Sequence, residues 1–340
     1  MKILLFLFSI IYGTTSSLRN LLFDIGIFKT KSFSIPIICI GNLNVGGSGK
    51  TPHTDYIFKI LANKKVAIIS RGYKRKTNNL YNVEIDSDYN MVGDEPLMLK
   101  RKNPSALVVV CGNRIKAINH ISKNHHEIEV ILLDDGFQHR WVESGLNILL
   151  SSFHKPFYKD HLLPYGRLRE NKKQSRRADY IIITNTENDL LNDEIQNIKK
   201  EISKFSQAKS SFSRVKYLEP KNIFNNETFD INGYNIILIS GIANSTSLVK
   251  HIKTQNTIIK HFEFKDHHNY NKENVKNILS YCDSIKSTKK IILTTEKDSV
   301  KLVQFKEDFK NMEVVFLPIE ITLLDQGEFN QKIIGYVDGN

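Results

Sequence analysis

The sequence contains few cysteines, and none of them stands in a metal-binding or disulfide pattern. Only three occur in 340 residues, Cys39, Cys111 and Cys282, and they lie far apart. Two of them lie inside apolar, strand-like runs, and no C-x-x-C pair is present. The pattern supports neither a zinc site nor a disulfide framework, and it favours a reducing compartment.

The chain also lacks an apolar run long enough to cross a bilayer. It begins MKILLFLFSIIY, in which one Lys precedes ten mostly apolar residues, about half of the number that a membrane helix needs. No small A-x-A-like cleavage site follows, which argues against a signal peptide. We therefore expect residues 1–28 to form a hydrophobic helical segment that rests in the membrane interface or docks an apolar substrate. A helix pair buried in the core is the alternative.

Acidic residues are outnumbered by basic ones, 36 to 48, which gives a net charge of +12. Such an excess favours an anionic partner, which can be nucleic acid, an acidic membrane surface or a phosphorylated substrate. The basic clusters at 74–76, 100–102 and 166–177 lack the interleaved aromatic residues of a single-strand binding platform. We therefore expect no nucleic-acid partner.

Short apolar runs alternate with helix-like segments along the whole chain, and no low-complexity tract interrupts them. Five runs occupy the first part: IPIICIGN, KKVAIIS, SALVVVCG, EVILLDD and ADYIIITN. This alternation predicts a parallel sheet with helices on both faces. A second α/β unit begins at YNIILISGIAN, and the runs near 210–218 and 313–324 can pair as a link between the two units.

These patterns predict an α/β fold with a P-loop NTPase-like lobe and a second, smaller α/β lobe, joined by a short two-stranded β link. The predicted division is a hydrophobic helix at 1–28, a P-loop lobe at 29–206 and a second lobe at 207–340. A cleft between two such lobes is a common place for a ligand.

A glycine-rich loop follows the first of the predicted strands. Residues 41–52, GNLNVGGSGKTP, fit the Walker pattern G-x-x-x-x-G-K-[ST], except that Asn44 stands in place of the first glycine. Backbone N–H groups of such a loop can hold phosphates, Lys50 would reach the β- and γ-phosphates, and the Thr51 hydroxyl would ligate Mg²⁺. We predict a nucleotide site made of Asn44, Val45, Gly46, Gly47, Ser48, Gly49, Lys50 and Thr51.

Aspartates stand at the ends of two other predicted elements. Asp134 and Asp135 end a predicted buried strand, where P-loop enzymes place a ligand of the same Mg²⁺. We predict both as metal ligands together with Thr51, with a simple turn start as the alternative. Asp94 precedes a helical pattern, where an ordinary helix cap is the alternative.

Histidines occur side by side in the stretch FKDHHNY. His267 and His268 with Asp266 could bind a metal, but no distant third cluster completes such a site. A histidine beside a carboxylate is better suited to acid–base chemistry near neutral pH. The stretch TEKD at 295–298 is faintly similar to a guanine-reading motif, but its order is wrong, and we interpret it as a helix start.

Together these motifs resemble the tetraacyldisaccharide 4'-kinase family, the lipid A 4'-kinases of Gram-negative bacteria. The matching stretches run in order from 41 to 298: GNLNVGGSGKTP, SRGY, GDEP, GNR, LDDGFQHR, LPYGRLRE, ISGIAN, FKDHHNY and TTEKD. The resemblance implies an ATP-dependent kinase that phosphorylates the 4'-hydroxyl of an acylated glucosamine disaccharide 1-phosphate to give lipid IVA. It also implies a peripheral protein at the cytoplasmic face of the inner membrane, and we expect a monomer.

The resemblance assigns roles to individual residues as well. Asp94 paired with His267 would activate the sugar hydroxyl, while Lys50, Thr51, Asp134 and Asp135 would handle ATP and Mg²⁺. Seven further residues would line the shared cleft: Arg71, Tyr73, Arg114, Gln138, His139, Arg169 and Glu170.

Two other functions are compatible with the P-loop. A P-loop GTPase or ATPase acting as a metal- or cofactor-insertion chaperone would use the same loop, but it would have no use for Asp94, His267 or a membrane-seeking N-terminus. A nucleic-acid-binding ATPase is supported by charge alone. Stimulation of nucleotide turnover by the lipid disaccharide, by a client protein or by DNA would separate the three.

Overall fold

Two sheets flanked by helices make up the computed structural model, which describes residues 2–187, 190–287 and 289–339. The strands are β1 (Ile37–Asn42), β2 (Val66–Ser70), β3 (Tyr81–Val83), β4 (Leu107–Val110), β5 (Val130–Asp134), β6 (Leu146–Ser152), β7 (Tyr180–Thr184), β8 (Lys209–Tyr217), β9 (Lys221–Asn222), β10 (Asn235–Ser240), β11 (Thr257–Glu263), β12 (Lys290–Thr295), β13 (Val314–Leu317) and β14 (Ile319–Leu323). The helices are α1 (Lys2–Asp24), α2 (Lys50–Ile60), α3 (Tyr89–Val92), α4 (Asp94–Lys102), α5 (Arg114–Asn124), α6 (Asn192–Ser203), α7 (Thr246–Ile252), α8 (Lys272–Ser284), α9 (Glu296–Leu302) and α10 (Gln326–Asp338). The predicted α/β fold is confirmed.

The larger sheet positions the glycine-rich loop at its centre. Its nine strands have the order β14-β8-β7-β6-β1-β5-β2-β4-β3, and they are parallel except for the antiparallel edge strands β3 and β14. Every residue of β1, β2, β5 and β7 is buried, which explains why these strands appear in the sequence as continuous apolar runs. Because Ile40 pairs with Asp134, the end of β5 lies beside the start of the glycine-rich loop.

The smaller sheet is reached through one pair of strands. Its order is β11-β10-β12-β13-β9, with β9 antiparallel to its neighbour. The chain leaves the larger sheet through β8 and returns through β14, and Tyr217 lies opposite Ile319 in their antiparallel ladder. The predicted pairing of these two runs is therefore present, and it continues the larger sheet because β8 also pairs with β7.

The C-terminal helix packs back onto the larger sheet. Phe329 and Ile333 of α10 are fully buried in the core that covers one face of that sheet. The first strand after position 206, β8, also belongs to the larger sheet. The division of the chain at residues 206 and 207 stays a prediction, and the sheets themselves divide the chain at 217 and 319.

Helix α1 keeps most of its apolar side chains on the surface. Ile3, Leu7 and Ile11 are 79%, 52% and 60% exposed, so the alternative of a helix pair buried in the core is wrong. Its other face carries the buried Asn20 and Phe23, which pack on the larger lobe. Among the described residues, no helix has both the length and the hydropathy that crossing a bilayer requires.

Candidate active site

The glycine-rich loop has the backbone geometry that its sequence predicts. Gly46 and Gly49 adopt φ angles of 109° and 77°, which L side chains rarely adopt. At the base of the loop the amide of Asn42 donates a hydrogen bond of 2.8 Å to the Ser48 hydroxyl. Helix α2 begins at Lys50, directly after Gly49, so its first N–H groups face the loop.

Asn44 has a structural reason to replace the usual first glycine. Its side-chain amide donates to the carboxylate of Asp160 at 2.8 Å. The neighbouring Val45 N–H donates to the carbonyl of Arg167, and the Arg169 N–H donates to the carbonyl of Leu43. The glycine-rich loop is therefore joined to the segment that carries Arg169.

The two aspartates after β5 have different electrostatic surroundings. Asp134 is 2% exposed and accepts a hydrogen bond from Thr54 at 3.2 Å. Burial, with the charges of Glu95 and Asp135, raises the pKa of Asp134 to about 7. Asp135 lies 3.7 Å from the Lys50 ammonium and 3.2 Å from the Arg169 guanidinium. Burial would raise the pKa of Asp135, but these two cations outweigh it and hold the pKa below its usual value.

Asp94 and His267 form a hydrogen-bonded pair across the two lobes. The Nδ1 atom of His267 lies 3.1 Å and 3.0 Å from the two carboxylate oxygens of Asp94. Burial would raise the pKa of Asp94, but the hydrogen bond with His267 and the charges of Lys297 and Lys301 outweigh burial and hold the pKa well below its usual range. The ionised carboxylate of Asp94 can only accept a hydrogen bond, so Nδ1 of His267 donates it and carries the ring proton. The other ring nitrogen, Nε2, then presents a lone pair.

Two glycines bring the segment of Asp94 against the segment of Tyr73. Gly72 and Gly93 have φ angles of 67° and 95°, and a Cβ on Gly93 would lie 3.1 Å from the Cα of Gly72. This close approach requires two residues without side chains. As a result, the Tyr73 ring centroid lies 4.9 Å from that of His267.

Lys297 contacts His267 on the side of the ring opposite Asp94. Its ammonium nitrogen lies 3.1 Å from Nε2 of His267, 3.0 Å from Asp266 and 3.2 Å from Glu95. Burial would lower the pKa of Lys297, but the surrounding carboxylates outweigh it and raise the pKa above its usual value. Lys301, which is 1% exposed, contacts Asp94 at 2.8 Å.

The glycine-rich loop and the Asp94–His267 pair lie near each other where the two lobes meet. The charge of Glu95, next to Asp94 in the chain, acts on Asp134. A Cβ on Gly47 would lie 3.1 Å from the Cβ of Ala243 in the smaller lobe. The cavity beside the pair is lined by Tyr73, Tyr89, Asn90, Asp94, His267 and Asn269.

The structure also places the seven further residues that the resemblance assigned to the cleft. Arg71 and Tyr73 are exposed at its edge, while Arg114 is 2% exposed and donates to the Cys111 carbonyl. Burial and the charge of Arg114 lower the pKa of His139 to about 4.

Gln138 and Arg169 form the floor of the site. The Gln138 amide donates to the Asn42 carbonyl at 2.8 Å and accepts from Arg169 at 2.9 Å. Glu170 lies beneath this floor, because it is 1% exposed and holds Asn20 and Arg177 through its two oxygens.

Comparison with known proteins identifies the family. The sequence matches the family described as Tetraacyldisaccharide-1-P 4'-kinase over residues 1–338. The chain belongs to this family. The predicted resemblance is thereby confirmed, and the protein is a kinase, an enzyme that transfers a phosphoryl group.

Individual relatives of this kinase family match nearly the whole chain. The tetraacyldisaccharide 4'-kinase of Bacteroides thetaiotaomicron is 38% identical, with 97% of this chain and 92% of the relative covered. That of Flavobacterium psychrophilum is 36% identical, with coverage of 99% and 97%. A crystal structure of LpxK from Aquifex aeolicus in complex with ATP has a TM-score of 0.78 and 31% identity, and the match covers 99% of each chain.

Membership in this kinase family disfavours the chaperone alternative. The alternative of a metal site at Asp266, His267 and His268 also finds no support. In the part of the chain that the structure describes, no three His, Cys, Asp or Glu side chains are arranged to hold a metal by themselves. His268 instead contacts Asn274 at 2.9 Å.

Sequence reasoning missed Lys297 and Lys301. Interpreting TEKD as a helix start was correct in part, since α9 begins at Glu296. One signal could have revealed both lysines: they are four residues apart, on one face of a helix that follows a strand of the predicted parallel sheet.

Proposed function

We propose that the protein transfers the γ-phosphoryl group of ATP to the 4'-hydroxyl of tetraacylated glucosamine disaccharide 1-phosphate, giving lipid IVA. The observation that carries this proposal is the nearness of the Asp94–His267 pair to the glycine-rich loop: the charge of Glu95 acts on Asp134, and Gly47 approaches Ala243 of the smaller lobe. Family membership supports the acceptor, and the structure of the Aquifex aeolicus relative with ATP supports the donor.

The glycine-rich loop would hold the phosphates of ATP. Its backbone N–H groups and those at the start of α2 form an anion site. Lys50, now 3.7 Å from Asp135, would turn its ammonium toward the β- and γ-phosphates. Arg169, which shares Asp135 with Lys50, can stabilise the charge that develops on the transferred group.

Thr51, Asp134 and Asp135 fit a magnesium ion. Their donors are a hydroxyl and two carboxylates, the hard oxygen ligands that Mg²⁺ prefers. Asp134 is buried, and within the described residues no lysine or arginine side chain pairs with its carboxylate. A cation would satisfy this group and would help neutralise the ATP phosphates.

The Asp94–His267 pair would activate the acceptor. Nε2 of His267 is occupied by the Lys297 ammonium, while Asp94 is 3% exposed and has both oxygens engaged. The sugar hydroxyl would take the place of Lys297 at Nε2 and pass its proton to that nitrogen. Asp94 would stabilise the imidazolium that forms, and the released Lys297 ammonium could then face the phosphoryl oxygens.

The remaining cleft residues would bind and orient the two substrates. Arg71 and Tyr73 are exposed at the cleft edge, where they can reach the disaccharide. Arg114, His139 and Gln138 support the loop that carries Asp135. Glu170 would act indirectly: it accepts a hydrogen bond from Asn20 and so would hold α1 in place next to Arg169.

Helix α1 would rest on the cytoplasmic face of the inner membrane, and the protein would act there as a peripheral monomer. Its exposed apolar face is large, and the acyl chains of the substrate reside in the same bilayer. Leu7→Glu with Ile11→Glu should move the protein from the membrane pellet toward the supernatant and raise KM for the lipid. Unchanged fractionation and an unchanged KM would contradict this placement.

A direct assay tests the proposed reaction. Purified protein is incubated with γ-labelled ATP and the disaccharide 1-phosphate in mixed micelles, and the label should appear at the 4' position. His267→Ala should abolish the transfer while leaving ATP binding intact. Turnover stimulated by a client protein or by DNA, without labelled lipid, would refute the proposal.

A further inference from the structure

Helices α4 and α9 are joined at both ends by buried ion pairs. The first residue of α4, Asp94, contacts Lys301 in the last turn of α9 at 2.8 Å. The last residue of α4, Lys102, contacts the first residue of α9, Glu296, at 2.9 Å. The two helices therefore run antiparallel, and each carboxylate lies at a helix N-terminus, where it is favoured.

Lys102 also reaches a third helix. Its ammonium lies 3.3 Å from the carboxylate of Asp55 on α2 and donates to the carbonyl of Ile319 at 2.7 Å. Asp55 is held in place by the side-chain amide of Asn103 at 2.8 Å. Helix α2 follows the glycine-rich loop and starts with Lys50. The Lys102 ammonium therefore connects α2 with α4, which carries Asp94, and with α9, which carries Lys297.

The three side chains are sheltered from water. Asp55, Lys102 and Glu296 have side-chain exposures of 5%, 14% and 13%. Burial raises the pKa of Glu296, and Lys102 acts against that rise. Without Lys102, two buried carboxylates would face each other. A buried charge cluster of this kind is costly unless its geometry is well defined, and it therefore suits a fixed joint between helices.

Short helical segments connect this cluster with Asp94 and Lys297. The nine residues of α4 span about 12 Å from Lys102 to Asp94 at the rise of an α-helix. Glu296 is the chain neighbour of Lys297, which contacts His267. A shift at the cluster is thus transmitted along α4 to Asp94 and along α9 to Lys297.

We propose that Lys102, together with Asp55 and Glu296, is a positioning residue of this kinase, which sets the placement of Asp94 and Lys297 relative to the glycine-rich loop. The inference rests on the proposed function, since it assumes that these groups serve phosphoryl transfer. It assigns no contact between Lys102 and either substrate.

The first test compares catalysis with nucleotide binding. The triple variant Asp55→Asn, Lys102→Met and Glu296→Gln removes all three charges and leaves none of them unpaired. We expect kcat to fall on the order of 10- to 100-fold, because a displacement near 1 Å is enough for such a loss. The dissociation constant for ATP should change less than about threefold, because the loop itself is intact.

The matched control is Lys59→Met. Lys59 lies on the same helix as Asp55 and contacts it at 3.6 Å, but its side chain is 41% exposed. We expect kcat within about twofold of the wild-type value, since exposed ion pairs contribute little. A triple variant that keeps wild-type kcat would overturn the inference, as would a parallel loss of kcat in the control.

The second test measures geometry without any substrate. The three native cysteines are buried, so spin labels can be attached at Lys123→Cys on α5 and Asn277→Cys on α8, both on the surface. The wild-type background should give one narrow distance distribution between the lobes, and the triple variant should give a broader or shifted one. Identical distributions would overturn the inference.

The two tests also separate this inference from the proposed function. If the wild-type protein transfers no phosphate to the lipid, the proposed function fails, and the distance measurement still reports whether the cluster fixes the lobes. If the wild-type protein is active and the triple variant matches it in kcat and in distance, only the positioning role fails.

Discussion

Replacing Lys297 with Met removes one charge from the centre of the proposed mechanism and keeps most of the side-chain volume. In the wild-type structure this ammonium lies 3.1 Å from Nε2 of His267. The carboxylates of Asp94, Glu95 and Asp266 surround the same imidazole at 3.0 to 3.9 Å. Without Lys297, this cluster of carboxylates loses a cation that balances it, and the phosphoryl oxygens lose the ammonium that would face them during transfer.

The size of the effect can be worked from these distances. Two unit charges 3 to 4 Å apart interact by about 4 to 5.5 kcal/mol at an effective dielectric constant near 20. The Lys297 side chain is 14% exposed, so water and the neighbouring Lys301 will offset part of the loss. If about 2 kcal/mol remains, kcat at pH 7 falls about 30-fold.

The assay is phosphoryl transfer to the lipid acceptor at pH 7, with kcat and KM for ATP measured separately. The Lys297→Met variant should lose kcat while its KM for ATP changes little, because the glycine-rich loop is intact. Lys265→Met, an exposed lysine of the loop that carries His267, is the matched control. A variant with the kcat of the wild type would show that Lys297 has no role in the transfer.

Three further predictions test other parts of the site. Lys50→Ala should lower the transfer rate on the order of 10²–10³-fold, and a rate equal to that of the wild type would exclude the glycine-rich loop as the ATP site. Asp94→Ala and His267→Ala should each reduce kcat far more than they change KM for ATP, and the double variant should be little worse than either single one; fully multiplicative losses would mean independent roles. The pKa of Asp134 is raised from 3.8 to about 7, so its protonated form contributes stability that is complete below about pH 4 and is lost as pH rises through 7. In metal-free protein, the free energy of unfolding of Asp134→Asn should therefore exceed that of the wild type by an amount that grows between about pH 4 and pH 7 and levels off near about 4 kcal/mol, and parallel pH curves would refute this.

The glycine-rich loop could be predicted from the sequence because all of its parts are local. Strand, glycines, Lys50 and Thr51 follow one another in the chain, and their geometry depends on neighbours within a few residues. The same holds for the buried strands, whose continuous apolar runs predict burial on both faces.

The partners of Asp94 could not be predicted in this way. Asp94 and His267 are separated by 173 positions, and their pairing was inferred only from the family resemblance. Lys297 and Lys301 acquire their role from the antiparallel crossing of α4 and α9, which no local pattern encodes. The hydrogen bond between Glu170 and Asn20 of α1 joins residues 150 positions apart and could not be predicted from a local pattern either.

The strand pair β8 and β14 makes the smaller lobe an insertion in the larger one. Tyr217 and Ile319, where the chain departs and returns, are opposite each other in an antiparallel ladder. A two-residue Asn-Gly turn could join them as a hairpin and omit everything in between. Among the described residues, Val300 is the one residue of the omitted stretch that belongs to the core covered by α10. Most of that core would therefore persist. Such a hairpin variant would keep the half of this kinase that carries the glycine-rich loop, and it would be a minimal protein in which ATP affinity could be measured apart from catalysis.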